Sequence, residues 1–187
     1  MKPGTAIVAI GLTTALPAHS QDMRADYDAF EAALIAGPTA TAALQHWCEA
    51  HGVAGTVRAE VDRDAERAPS AATYLRLQLK PDEHVAYRRV KLGCGGHVLS
   101  EADNWYVPSR LTPAMNEALE RGDTPFGAVI APLAPRRQPI SSEPLWAKGA
   151  PVPDDILRNR ALVLDHEGRP LAEVTETYKR TALDITR

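Results

Sequence analysis

Cysteine, net charge and long apolar runs are all scarce in this sequence, and each shortage removes a class of protein. Only two cysteines occur in 187 residues, so the chain is not a disulfide-stapled scaffold. With 44% hydrophobic residues, a chain of this length fills a sizeable core without such staples. The formal net charge is −3, from 21 Lys and Arg against 24 Asp and Glu. So slight a balance, with both signs interspersed, argues against a nucleic-acid partner gripped through phosphates. No apolar run reaches the about 20 residues that a bilayer span requires. There is no internal repeat and no low-complexity tract, and Ser100 and Ser141-Ser142 lack the G-x-S-x-G context of a hydrolase nucleophile. His46, Cys48 and His51 invite a metal reading. Zinc ligands on one helix face want i,i+4 spacing, whereas these histidines are five apart, so no metal and no other cofactor is expected.

What is present centres on Val85 to Pro108, VAYRRVKLGCGGHVLSEADNWYVP. Two runs of β-formers around a glycine cluster read as a hairpin, and Pro108 ends it because proline cannot donate to a ladder. A strand commits each side chain to one face, so one of Arg88 and Arg89 should point inward and need an anion. Periodicity leaves open which. Arg89 shares a face with Val85 and Tyr87, and Arg88 shares one with Ala86, Val90 and Leu92.

In chain order, residues 1–20 begin with Lys2, run through a weakly apolar segment and end in Ala18-His19-Ser20. That is the pattern of a secretory signal peptide cleaved after Ser20, with a single domain over 21–187. The competing reading makes Ile7 to Ile10 a first strand. Export would place the domain in the periplasm or outside the cell; without it the domain is cytoplasmic. Tyr27, Phe30, Ala33 and Leu34 recur at helical steps and predict a helix over 22–36, stopped by Gly37-Pro38. Thr39 caps a second helix over 40–50, and Ser70 opens a third over 71–77. Between them, residues 57–61 alternate as a strand. Thr112-Pro113 opens a helix that stops at Arg121-Gly122. Residues 123–127 read as a tight turn, Arg136-Arg137 as part of a proline-punctuated segment, and 148–155 as a surface loop. A closing hairpin runs over 160–164 and 170–179. The expectation is an antiparallel sheet with helices on one face.

In the last strand Ala172, Val174, Glu176 and Tyr178 share one face, and Glu173, Thr175, Thr177 and Lys179 the other. A carboxylate among core residues must be paired, protonated or functional. Glu176 therefore reads either as a general acid/base or as the partner of an arginine from the central hairpin. Cys48 and Cys94 could pair in an oxidising compartment, or Cys48 could simply be core.

Tyr87 to Cys94, the glycine turn after it, Trp105-Tyr106-Val107-Pro108, Thr124-Pro125-Phe126-Gly127, and Gly168 to Leu171 with Thr175-Glu176 together resemble the chorismate pyruvate-lyase family. Its superfamily includes the effector-binding domains of GntR-type regulators. The resemblance covers roughly residues 35–180. It implies an α+β, chorismate-lyase-like fold, an antiparallel six-stranded sheet with helices packed on it, enclosing a small carboxylated, aromatic-type ligand. It implies cleavage of chorismate to 4-hydroxybenzoate and pyruvate without a cofactor. Arg89 falls at the carboxylate anchor, Glu176 at the essential glutamate, and Phe126, Gly127 and Ala40 at ligand contacts. One extra residue between Pro170 and Glu176 would, relative to the lyases, turn Thr175 inward; the alternation favours Glu176. No winged-helix pattern precedes the sheet, so a regulator reading lacks its DNA-binding half. The alternative function is a non-catalytic, exported binding module of the same fold, expected to be monomeric.

Overall fold

The computed structural model describes residues 18–185. The expected leader lies outside the described residues except for Ala18 to Ser20, which open the first helix. Elements follow in the order α1 (Ala18–Ala36), α2 (Ala40–Ala50), β1 (Arg58–Asp62), α3 (Ala71–Leu77), β2 (Ala86–Cys94), β3 (His97–Tyr106), α4 (Pro113–Arg121), α5 (Phe126–Val129), β4 (Arg136–Pro144), β5 (Asp155–Leu164) and β6 (Pro170–Lys179). All six strands form one antiparallel sheet in the order β1-β2-β3-β6-β5-β4. Two three-stranded halves are thus joined where β3 meets β6. The expected α+β sheet with helices is the observed fold.

Local chemistry explains the boundaries. The Thr39 hydroxyl accepts the Ala42 N–H at 3.1 Å and starts α2; the Ser70 and Thr112 hydroxyls do the same for α3 and α4. Each cap meets a donor that the helix itself leaves free. The β2–β3 turn is made by Gly95 and Gly96, both at positive φ (56° and 84°), as a two-residue turn matching the strand twist requires. A Cβ on Gly93 would run into the His97 carbonyl.

One face of the sheet presents Val90, Leu92, Ala102 and Tyr178 to α1 and α2. On the same face Tyr106, Ala172 and Val174 meet α4 and α5. Leu44 and Trp47 of α2 point inward as expected, and Phe30 packs edge-on against both Trp47 and Tyr178. Cys48 of α2 is bonded to Cys94 at the end of β2, which also removes Cys48 from any metal reading.

Three expectations need correction. Helices do not keep to one face, because α3 lies on the other and packs Leu77 against Val107, Leu162 and Leu164. The proline-punctuated segment is a full strand, β4, paired along β5 with a bulge between Pro139 and Ser141. Its prolines hid it, since a lone edge strand tolerates residues that a central one does not. The tight turn after Asp123 instead delivers Phe126 and Gly127 into a four-residue helix, α5.

Candidate functional site

Glu176 points inward. In the sheet register Val90, Ala102 and Glu176 form one row across β2, β3 and β6, and Arg88, Asn104 and Val174 form the adjacent row. That alternation places Arg88 on the face of Glu176 and Arg89 on the opposite one. Arg89 there pairs with Glu101 at 3.1 Å, and the Asp103 carboxylate also helps hold it charged. The residue aligned with the anchor is thus not on the same face as the residue aligned with the essential glutamate. Arg88 is.

Glu176 does not pair with the hairpin arginines at all. Its partner is Arg137 of β4, whose Nη2 donates to Oε2 at 2.5 Å and Nη1 to Oε1 at 3.4 Å. Tyr178 O–H donates to the same Oε2 at 3.0 Å. Burial acts to lower the Arg137 pKa, but the adjoining Glu176 carboxylate more than offsets it, and the net shift is upward. The Tyr178 hydroxyl is pushed well above its ordinary value, first by burial and then by Glu176. Glu176, Arg137 and Tyr178 therefore form one hydrogen-bonded cluster inside the protein.

Arg88 is the opposite case. It is 5% exposed, and Nη2 donates to the Gly122 and Thr124 carbonyls at 3.3 and 3.1 Å. Its Nε and Nη1 are buried with no partner. Among the described residues no carboxylate pairs with it, and burial lowers its pKa. Unmet donors on a buried guanidinium cost free energy in the unliganded fold. The carbonyls it holds belong to the segment leading into Phe126 and Gly127.

Between the sheet and the helices lies a small cleft with room for about 30 Å³. Thr39, Ala40 and Thr41 of the α2 start, with Phe126, Gly127 and Ile130, form its roof. Val90, Ala102, Asn104, Val174, Arg137 and Glu176 form its floor and one side. Ala40, Phe126, Gly127 and Glu176, expected at the site, therefore come together. Arg89 does not join them; Arg88 does not line the cleft either, but lies on its face of the sheet beside the lining residue Asn104, its partner in the register.

Gly127 is where the two roofing helices touch. A Cβ there would lie 2.8 Å from Thr41 Oγ1 and 2.9 Å from Thr39 Oγ1. Gly127→Ala should consequently displace the α2 cap and cost about 1–3 kcal/mol in a urea unfolding titration. An unchanged midpoint would show that the roof yields without strain.

The sequence reading missed Arg137 and the face of Arg88. It also set Glu173 on the all-polar face of the last strand, away from the apolar one, yet that carboxylate is fully buried. Arg76 of α3 grips it with two bonds (2.7 and 2.8 Å), Arg160 of β5 donates at 2.7 Å, and Thr73 O–H at 3.3 Å. The signal was there in part, since Arg76 sits in a helix that had to cover something.

No known protein-family model matches the chain. Among solved structures, the effector domain of PhnF from Mycobacterium smegmatis is similar at 12% identity and a TM-score of 0.55, covering 76% of this chain and 88% of that one. PhnF from the same organism matches with a TM-score of 0.53 and 12% identity, over 72% of this chain. This chain spans 62% of that longer protein, less than two thirds of its length. At such identities the likeness is one of fold. Among the described residues no helix is long and apolar enough to cross a membrane. A curated relative, the uncharacterized protein y4mC of Sinorhizobium fredii, is 33% identical over 172 residues, which cover 81% of this chain and 73% of that protein. The chain belongs to the family of y4mC.

Proposed function

We propose that the domain binds a small carboxylated molecule of aromatic type in the cleft beneath α2 and α5, with Arg88 as the group that receives its anion. The observation that carries this reading is the buried Arg88, with Nε and Nη1 unpartnered on the cleft face of the sheet. Nε and Nη1 lie on different edges of the guanidinium, so a ligand carboxylate arriving at either one gains a charge-assisted hydrogen bond and relieves one unmet donor. Val90, Val174, Phe126 and Ile130 supply an apolar wall for a ring. The likeness in fold to the PhnF effector domain agrees with a binding role. With space for about 30 Å³, the closed cleft holds no more than about two waters, so binding requires the helical roof to lift. The Cys48–Cys94 bond supports an exported domain, since such bonds persist in oxidising compartments.

A second reading, cleavage of chorismate, draws on Glu176. A carboxylate on the cleft wall hydrogen-bonded by Tyr178 is placed to move a proton. Against it, both oxygens of Glu176 are occupied by Arg137. Isothermal titration with 4-hydroxybenzoate, and absorbance assays with chorismate, separate the two. Binding without turnover is expected, weakened at least roughly tenfold in Arg88→Met and little changed in Arg89→Met. Turnover abolished by Glu176→Gln would make the protein a lyase. Binding that survives Arg88→Met would remove the proposed anchor.

A further inference from the structure

Arg137 stands in two walls at once. It closes one side of the cleft, and it also lines an outer groove of about 530 Å³. That groove runs between the C-terminal end of α1, the Gly37-Pro38 corner, and the strands β4 and β5. Leu34, Ile35, Pro38, Pro135, Pro139 and Ala161 give it a largely apolar lining. Ile35 is 79% exposed, one of few large apolar side chains left to water among the described residues. Of its charged residues, Arg137 and Arg160 are already paired, with Glu176 and Glu173, and Arg136 and Glu31 complete the set. Where groove and cleft adjoin, Asn159 stands opposite Glu176 in the register, and its Oδ1 is buried with no partner.

We infer that cleft and groove are one elongated site divided by the Arg137 side chain, and that the ligand is an aryl acid bearing an apolar extension rather than a compact acid. The inference rests on the reading that the cleft takes a carboxylate. It adds what lies beyond the ring. Even with its roof lifted the cleft has room for little beyond the acid and its ring, while the neighbouring groove is many times larger than the closed cleft and largely apolar. Passage between them requires the Arg137 guanidinium to turn aside, with Tyr178 left to hold Glu176. A hydroxyl or N–H in the linker would meet the unpartnered Asn159 oxygen. The extension would then cover Ile35. Burying apolar surface in this way gives affinity in proportion to tail length.

The test uses the full chain and a series of benzoates, from 4-methoxybenzoate to 4-hexyloxybenzoate, titrated by calorimetry. Affinity is expected to rise at least roughly tenfold along the series. Ser142→Trp, a change at an exposed groove residue that pairs with Asn159 and so shares its face of the sheet, should abolish that rise and leave the affinity for benzoate itself unaltered. Circular dichroism of the variant controls for its fold. A flat series, or a rise that persists in Ser142→Trp, would overturn the elongated site and leave the cleft reading intact. Benzoate binding lost in Arg88→Met tests the cleft separately. If no member of the series binds, both readings fall.

Discussion

Replacing Arg110 with methionine is expected to destabilise the protein by about 3–5 kcal/mol, the cost of stranding a buried charge. Arg110 follows β3 in a 3-10 turn and is 3% exposed at its side chain; its partner Glu83 is 8% exposed. The guanidinium donates to both Glu83 oxygens, at 2.9 and 2.5 Å, and to the carbonyls of Leu77, Gln78 and Pro170. One side chain thereby ties the end of α3, the loop after it and the first residue of β6. The hydrogen bond from Arg110 is the main reason that the Glu83 carboxyl is held at about 2, below the about 4.3 of an unfolded chain. A depressed carboxyl pKa gives stability that is present above the unfolded value and lost as pH falls through the folded one. Glu83→Gln should therefore cost about 3 kcal/mol at pH 7, and its difference from the wild type should shrink between about pH 4 and pH 2. Guanidinium unfolding curves across that range check both. A difference that stays constant with pH would show that Glu83 acts only by packing.

Reduction of the Cys48–Cys94 bond is the second large effect. The cysteines are 46 residues apart in sequence, and closing a loop of that size stabilises a fold by about 4 kcal/mol in the chain-entropy account. Both residues are buried, at 0% and 3%, so the bond should resist reductant until the domain opens. The double variant Cys48→Ala, Cys94→Ala is expected to unfold at markedly lower urea concentration than the oxidised wild type. Adding dithiothreitol to the wild type under partly denaturing conditions should bring the two curves together. Coincident curves before any reductant is added would mean that the bond contributes nothing. The bond also fixes the C-terminal half of α2 to the sheet. The first turn of α2, over the cleft, is the end left free to lift.

How much of this was legible in the sequence depended on the range of the interaction concerned. α2 and α3 have the boundaries that Thr39 and Ser70 announce, because a cap is decided within one turn. Glu176 faces inward as a period-two pattern requires, because its neighbours Ala172, Val174 and Tyr178 fix the face. The choice between Arg88 and Arg89 needed the sheet register, which depends on β1 and β3 together. Arg137 as partner of Glu176 spans 39 residues, and it lies on a strand whose prolines argued against a strand. Glu173 was misjudged because alternation reports only which face a side chain takes. What covers that face, here α3 with Arg76, is decided by packing.

The rims of the sheet carry one more consequence. An open sheet ends in two strands whose outer N–H and C=O groups can capture a strand of another molecule, the usual route to fibrous aggregation. Here β4 forms one rim, and Pro139 and Pro144 within it have no N–H to offer. The bulge between Pro139 and Ser141 breaks the spacing of the groups that remain. The other rim, β1, is five residues long, and its Ala59 N–H already donates to the Asp123 carbonyl at 2.7 Å. Among the described residues, then, both rims carry interruptions of the kind that hinder edge-to-edge pairing between crowded copies.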